Sequence, residues 1–559
     1  MLLLAKSKPG ADGKRGAKRH RLTSLINNPA SRVPTPVSKR VDSITGAVVV
    51  FSLVVYALFA PVSIAITQSA SLLGLVAWCI RLASRREFRL ARTPIDVAIL
   101  GFFACCVVSS FLSYDLLVSV KGLKSPAFFF AFYLVSNNVR GPRFAALLAF
   151  ALVGACLISV ANSAGQLAVG RGIRIDSMRE ESPLANRGLL PGDVILEADD
   201  QRVNTPADLE AIVVSGRGGL RLKYQRTEAV TSTTVKRQRV KQALESGAGL
   251  GMTTSPGRNF RVSGFYSHYE TYAEVLQLIA ALATGMFLAY PRKRSGVAVF
   301  LASSILLVSA ALVMTATRAA LAGLGIAVLA MALASARRKA ILTAATAFLI
   351  LASVAFLMVE RTRGISVPDT REQSTAWRLE VWREALGLIK DHPIVGIGKG
   401  SEGKLKTSLG LYDKGRLPQS HFHSTPIQIA TWWGLPALIF YFALMCILFV
   451  TILRSIRKLK SAGQLDLWGI QLGCFGALVA FNVSSLVHFN FGDGEVVMVF
   501  WLLMGIAFAV QRMVSQESGD LQPARTPALP AEGSSRKSPL QEQAATSEAG
   551  VRAAKAKHN

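Results

Sequence analysis

RLEVWREALGLIKDHPIVGIGKG, Arg378 to Gly400, is a polar island in an apolar chain, and what surrounds it decides the fold. Trp377, Val381, Trp382, Ala385, Leu386 and Ile389 recur at helical spacing while Arg378, Glu380, Arg383 and Glu384 occupy the opposite face, so the pattern predicts a helix from Ser374 to Lys390. Asp391-His392-Pro393 stops it. Gly396, Gly398 and Gly400 then allow a backbone to approach a ligand closely, and Ser-His-Phe-His-Ser-Thr (Ser420 to Thr425) leads into the next apolar run. The polar stretch from about Arg361 to Ser424 therefore reads as a candidate active site at a membrane surface.

Outside the island, the 559 residues are 51% hydrophobic and 17% charged. The apolar residues fall in blocks long enough to cross about 30 Å of hydrocarbon. The expected fold class is an all-α polytopic membrane protein of about twelve transmembrane helices, at roughly 44–67, 69–84, 94–113, 122–138, 143–165, 270–290, 296–315, 319–336, 340–359, 431–453, 466–488 and 495–511. Every second connection is basic: Arg81 to Arg92, Arg140 to Arg143, Arg292 to Arg294, Arg337 to Lys339 and Arg454 to Lys460. The positive-inside rule makes these loops, and both termini, cytoplasmic. The net charge of +29 is then an orientation signal and a contact with anionic membrane lipids, and calls for no nucleic acid. Residues 1–43 and 512–559 read as disordered cytoplasmic ends, and the first apolar run as a retained span. All six cysteines (Cys79, Cys105, Cys106, Cys156, Cys446, Cys474) fall inside expected spans, as packing residues.

Between the first five spans (44–167) and the rest (258–511), residues 168–240 break the membrane pattern. Ser182 to Val213, SPLANRGLLPGDVILEADDQRVNTPADLEAIV, alternates like short strands joined by Gly-Asp turns, with a helix from Pro206 to Val214. The order Ser-Pro, Ala-x-x-Gly-Leu, Pro-Gly-Asp-Val-Ile-Leu and a Thr-Pro-capped helix resembles a bacterial PDZ domain, departing from it at Asp199-Asp200, where the family usually has Asp-Gly. The resemblance implies a small α+β module that binds an extended peptide or protein segment by strand addition, with a carboxylate-binding loop near Gly170-Arg171-Gly172-Ile173. With five spans before it, the module is expected on the periplasmic side.

Arg261, Arg318, Arg378 and His423 come from separate segments but share the outer membrane depth in this topology. A guanidinium matches a phosphate bidentately, so converging arginines there suit a lipid pyrophosphate. Arg261 to Gly264 (Arg-x-x-Gly), Thr315 to Arg318 (Thr-x-x-Arg), Arg378 to Gly400, and HSTPIQIATWWGLPAL from His423 to Leu438 together resemble the O-antigen ligase and polymerase superfamily over about residues 258–440. Ser424 and Trp432 depart from it: many members have Asn after the His, and an acidic residue in place of the Trp. The PDZ insertion is not part of the usual plan.

The resemblance implies a GT-C-like fold with its catalytic loop at 360–425, in a bacterial inner membrane. It also implies an inverting, metal-independent glycosyltransferase without cofactors. An undecaprenyl-pyrophosphate-linked glycan would be the donor, and a sugar hydroxyl of a lipid A-core or other glycan the acceptor. Arg261, Arg318 and Arg378 would hold the pyrophosphate, with Arg318 and Arg378 also assisting the chemistry. His423 would be the base or a hydroxyl-orienting group, since its ordinary pKa of about 6.5 allows a neutral imidazole. His421, two residues away, would help bind substrate; as a His-x-His metal pair with His423 it would need the acidic cluster Asp493 and Glu495 to complete the set. Ligase is the favoured reading; O-antigen or exopolysaccharide polymerase and protein O-oligosaccharyltransferase share these motifs. A transporter or PDZ scaffold would show ionisable residues in mid-span, of which there are few. An intramembrane metalloprotease would need His-Glu-x-x-His, which none of the seven histidines forms.

Overall fold

Ten helices of the protein are long and apolar enough to cross a membrane, among residues described by a computed structural model: 36–85, 91–185, 188–226, 229–247, 249–257, 261–335, 373–408, 410–411 and 421–517, with 339, 343, 346, 350 and 353 as single positions. The expected span at 340–359 lies outside the described stretches. Before the insertion come α1 (Pro36–Phe59), α2 (Ile64–Arg85), α3 (Asp96–Phe111), α4 (Leu116–Gly122), α5 (Phe130–Asn138) and α6 (Pro142–Val169). The expected span at 122–138 is not one continuous helix. A 3-10 turn at Pro126–Phe129 separates α4 from α5, because the proline ring supplies no N–H to the ladder. At 16 residues, α3 rises only about 24 Å, and it leans on the later helices.

The inserted module holds a six-stranded antiparallel sheet and two helices: β1 (Ile173–Met178), β2 (Val194–Ala198), β3 (Gln201–Arg202), α7 (Pro206–Ser215), β4 (Leu220–Arg226), β5 (Ala229–Val235), α8 (Arg237–Glu245) and β6 (Met252–Pro256). Its core is its own, built from Ile173, Ile175, Leu184, Ile195, Leu209, Leu222 and Val240 among others. The Thr205 side chain and Asp208 form a capping box that starts α7. Asp199 and Asp200 adopt left-handed φ angles of 48° and 61°, the conformation that usually calls for glycine. The Asp199 carboxylate accepts from buried Arg237, whose other nitrogen donates to Ile212 O at the end of α7 at 2.7 Å, so the departure from Asp-Gly ties α8 to the turn.

The sheet runs β5-β4-β2-β1-β6, with β6 at an edge. The expected boundary at residue 240 therefore falls too early. The strand signal of β6 was weak, since Gly-Leu-Gly-Met-Thr-Thr-Ser alternates little in hydrophobicity. Entry and exit close on each other: Arg171 N donates to Gly257 O at 2.7 Å, and Gly257 N to Gly172 O at 3.0 Å.

The second membrane half comprises α9 (Tyr269–Ala289), α10 (Gly296–Met314), α11 (Arg318–Ser335), α12 (Gln373–Asp391), α13 (Glu402–Ser408), α14 (Thr425–Ser461), α15 (Leu465–Ser485) and α16 (Gly494–Glu517). The spans α9, α15 and α16 are the most enclosed and form its centre. There α9 crosses α15 so closely that a Cβ on Gly285 would clash with the Gly473 backbone, the small-residue contact through which apolar helices pack in lipid.

Helix α14 breaks at Gly434, where φ is 84°, just before Pro436. The segment after α12 fills the break: Ile397 N and Gly398 N donate to Thr431 O and Trp432 O at 2.9 Å each, and Leu435 N donates to Pro393 O at 2.7 Å. Left-handed Gly396 and Gly398 thus bring a backbone close to a helix rather than to a ligand, which corrects the expectation for this glycine run.

Candidate active site

Three arginines far apart in sequence line one cavity of about 390 Å³. Arg261 follows the inserted module, with its guanidinium 4.4 Å from the centre of the Tyr269 ring. Nearby Gly264, at φ 57°, is clamped to α6 by Asn162 and Gln166, whose amides both donate to its carbonyl at 3.0 Å. Arg318 opens α11 after a tight turn, in which Thr315 Oγ1 donates to Leu312 O at 2.6 Å and Ala316 takes φ 51°. Ala316, Thr317 and Ala319 also line the cavity, so the N-terminal end of α11, the positive end of its dipole, faces it. Arg378 projects from α12. Its Nη2 lies 4.0 Å from a Glu270 carboxylate oxygen, and its Nε is buried without a hydrogen-bond partner among the described residues. The expected helix 374–390 thus serves to place Arg378, Leu379 and Trp382 in the wall.

The expected histidines stand beside this cavity rather than in its lining. Their segment is a turn before α14, with His423 at φ 47°, its ring 4.6 Å from Trp377 and 4.1 Å from His421. The turn is tied from both sides. Trp382 donates its indole N–H to Phe422 O at 2.7 Å, and Phe422 N donates to Gln428 Oε1 at 2.6 Å. Gln428 in turn donates to Glu402, which also accepts the indole N–H of Trp432. Burial, then the neighbouring His421 and Arg378, pushes His423 down to about 2, so it is neutral at any physiological pH. His421 is lowered as well, first by burial. Among the described residues no group of three His, Cys, Asp or Glu side chains is arranged to hold a metal ion. Asp493, a suggested third ligand, accepts from Thr271 Oγ1 at 2.5 Å.

One lining residue, His488, is not among the site residues expected from the sequence. Its Nδ1 lies 3.0 Å from an oxygen of Glu274, a carboxylate 3% exposed on the first turns of α9. Burial lowers the His488 pKa, but the Glu274 hydrogen bond and charge outweigh it and leave it raised. A lone Glu inside an apolar span was the available signal, since such a residue seldom lacks a partner.

A second cavity, of about 280 Å³, lies in the inserted module between edge strand β6 and α7. Gly249, Leu250, Gly251 and Met252 line it with Pro206 and Glu210. The Gly170–Ile173 loop expected to bind a carboxylate does not line it, and its Arg171 amide is spent on Gly257 O at the close of the module.

Comparison with known proteins agrees with this division. The O-Antigen ligase family model matches residues 301–442, and a PDZ domain model matches 141–236. The chain thus carries a region similar to the O-antigen ligase family and an inserted PDZ domain, among helices long and apolar enough to cross a membrane. The family match takes in Arg318, Arg378 and His423, whereas Arg261, Glu274 and His488 lie outside it. The chain is also 34% identical over 90 residues to the magnetosome formation protease MamE of Paramagnetospirillum magneticum. That match covers 15% of this chain and 12% of MamE.

Proposed function

We propose that the protein moves a glycan from undecaprenyl pyrophosphate to an acceptor hydroxyl, a lipid A-core sugar in the ligase reading, at the periplasmic face of the inner membrane. The observation that carries this is the convergence of Arg261, Arg318 and Arg378 with the start of α11 on one cavity. Three guanidiniums and a helix N-terminus suit a dianionic, planar-contact ligand better than a neutral or cationic one. Pyrophosphate is already a good leaving group, so cations that take up its developing charge supply much of what the transfer needs, without a metal or cofactor. Neutral His423, beside Arg378, orients the acceptor hydroxyl. His421 braces it: His423 N donates to His421 Nδ1 at 3.2 Å.

The PDZ domain takes a peptide along β6, with the Gly249–Met252 loop at the peptide's end. It recruits a partner or selects an acceptor, while the membrane half carries the transfer. The test is turnover by the purified full chain in nanodiscs, supplied with polyprenyl-pyrophosphate glycan and lipid A-core. Loss of the donor with formation of the joined product supports the reading. Donor left intact beside every glycan acceptor, by folded protein, removes it.

A further inference from the structure

We propose that His488, held by Glu274, is the catalytic base of the transfer, so that the proton leaves through a Glu-His pair that reaches the cavity from α9 and the α15–α16 turn. This rests on the glycosyl-transfer reading above and adds to it the group that takes the proton.

Geometry carries the assignment. His488 lines the arginine cavity, whereas His423 does not. Its Nδ1 is committed to Glu274 at 3.0 Å, which leaves Nε2 as the ring atom for a substrate. Its backbone is fixed too, because His488 O accepts from Thr425 N at 3.0 Å. Asn490 braces the turn from the other side, accepting from Thr425 Oγ1 at 3.0 Å and donating to Phe481 O at 2.9 Å. A buried carboxylate on one imidazole nitrogen sets the tautomer and stabilises the cation that forms when the other takes a proton. An ionisable pair at this depth is costly to keep and calls for a use.

In the step, an acceptor oxygen lone pair forms a bond to the anomeric carbon as the carbon–oxygen bond to pyrophosphate breaks. The bonding electrons leave on the pyrophosphate, facing Arg261, Arg318 and Arg378. The hydroxyl proton passes to His488 Nε2, giving an imidazolium paired with Glu274. The charged and titratable groups around His488 are Glu274 and Glu270 from α9, Arg378 from α12, His421 and His423 from the turn before α14, and Arg261 and Arg318, which share the cavity wall with it. The carboxylates favour the protonated ring, so the base form is gained as pH rises through a value above the ordinary one for histidine.

The experiment compares wild type, His488→Gln, Glu274→Gln and Glu274→Asp as full chains in nanodiscs, reading donor-lipid binding, KM, kcat and the pH profile of kcat. Expected for His488→Gln is a kcat loss on the order of a hundredfold or more with donor binding kept. For the positioning residue, Glu274→Gln should lower kcat and move the acid limb of the profile to lower pH, with partial recovery in Glu274→Asp. Near-normal kcat in His488→Gln overturns the assignment while wild-type turnover leaves the glycosyl-transfer reading standing. An unmoved acid limb in a folded, turning-over Glu274→Gln also overturns it. A wild type that binds but never consumes the donor removes the transfer reading, and the base with it. Should His488→Gln fold poorly, as thermal unfolding reports, His488→Asn replaces it on the same criteria.

Discussion

Arg378→Ala tests the anion site most directly, because the structure allows its size to be worked out. The Arg378 side chain is 21% exposed, its Nε is buried without a partner among the described residues, and its Nη2 lies 4.0 Å from a Glu270 carboxylate oxygen. Hydrogen bonds to charged groups contribute about 1.5–3 kcal/mol each, and a fork can make two to a pyrophosphate. With allowance for side-chain ordering and partial exposure, removal should weaken donor binding by about 2–4 kcal/mol, or roughly 30- to 1000-fold at about 1.4 kcal/mol per tenfold. Glu270 pushes the value up, since it loses its cation and faces the phosphates alone. Arg378→Ala with Glu270→Gln should therefore bind better than Arg378→Ala by itself. Arg378→Lys should recover less than half of the loss in kcal/mol, because a point charge cannot reproduce the planar fork. The assay is equilibrium binding of undecaprenyl pyrophosphate to nanodisc-held protein at two salt concentrations. Unchanged affinity in Arg378→Ala, or full recovery with Lys, would refute the pyrophosphate site.

Replacing residues 171–257 with a short flexible linker should leave membrane insertion intact, because entry and exit already meet at 2.7 Å; loss of insertion, followed by membrane fractionation, would show that the module supports the bundle. Deletion of 170–240 alone should do worse, since it strands β6 without β1. A reporter active only outside the cytoplasm should work when fused near Gly218 or Lys404 and stay silent near Arg457; activity at Arg457 would invert the orientation. His423→Asn should lower transfer by on the order of a hundredfold without changing the shape of the pH profile, because burial keeps His423 neutral down to about 2; a lost titration limb would make it the proton acceptor instead.

Spans and arginines were legible because both are written in local pattern. Hydrophobic blocks give a helix wherever backbone groups have no water to bond, so ten spans fell close to their expected places. Arg261, Arg318 and Arg378 could be grouped from depth alone, since helix ends bring distant segments to one surface. What local pattern does not record is pairing across the bundle. Glu274 and His488 are 214 positions apart, and each alone reads as an incidental polar residue. The glycine run misled for the same reason: Gly396 and Gly398 have the conformations a ligand loop needs, but their partner is the break in α14. Strand β6 was missed because edge strands need little hydrophobic alternation.

Trp432, the departure that put a carboxylate in doubt, is answered by a residue from another element. Its indole N–H donates to Glu402, the first residue of α13, so an acid occupies this depth without being carried by α14. Burial raises the Glu402 pKa, and Lys399, itself lowered to about 8 by burial, is the nearby cation. From Glu402 the hydrogen bonds run through Gln428 to Phe422 N, between the two histidines. That path needs an acceptor at Glu402 and no negative charge. Glu402→Gln should therefore keep the turn in place and transfer within a few-fold of wild type. Glu402→Leu should strand the Trp432 and Gln428 donors in a buried site, at about 1–3 kcal/mol each. It should lower thermal stability and kcat together, while donor binding by the arginines persists. The discriminating result is a Glu402→Gln protein as stable as wild type but inactive: the carboxylate charge would then act in the chemistry, and the hydrogen-bonded path to Phe422 would not be its purpose.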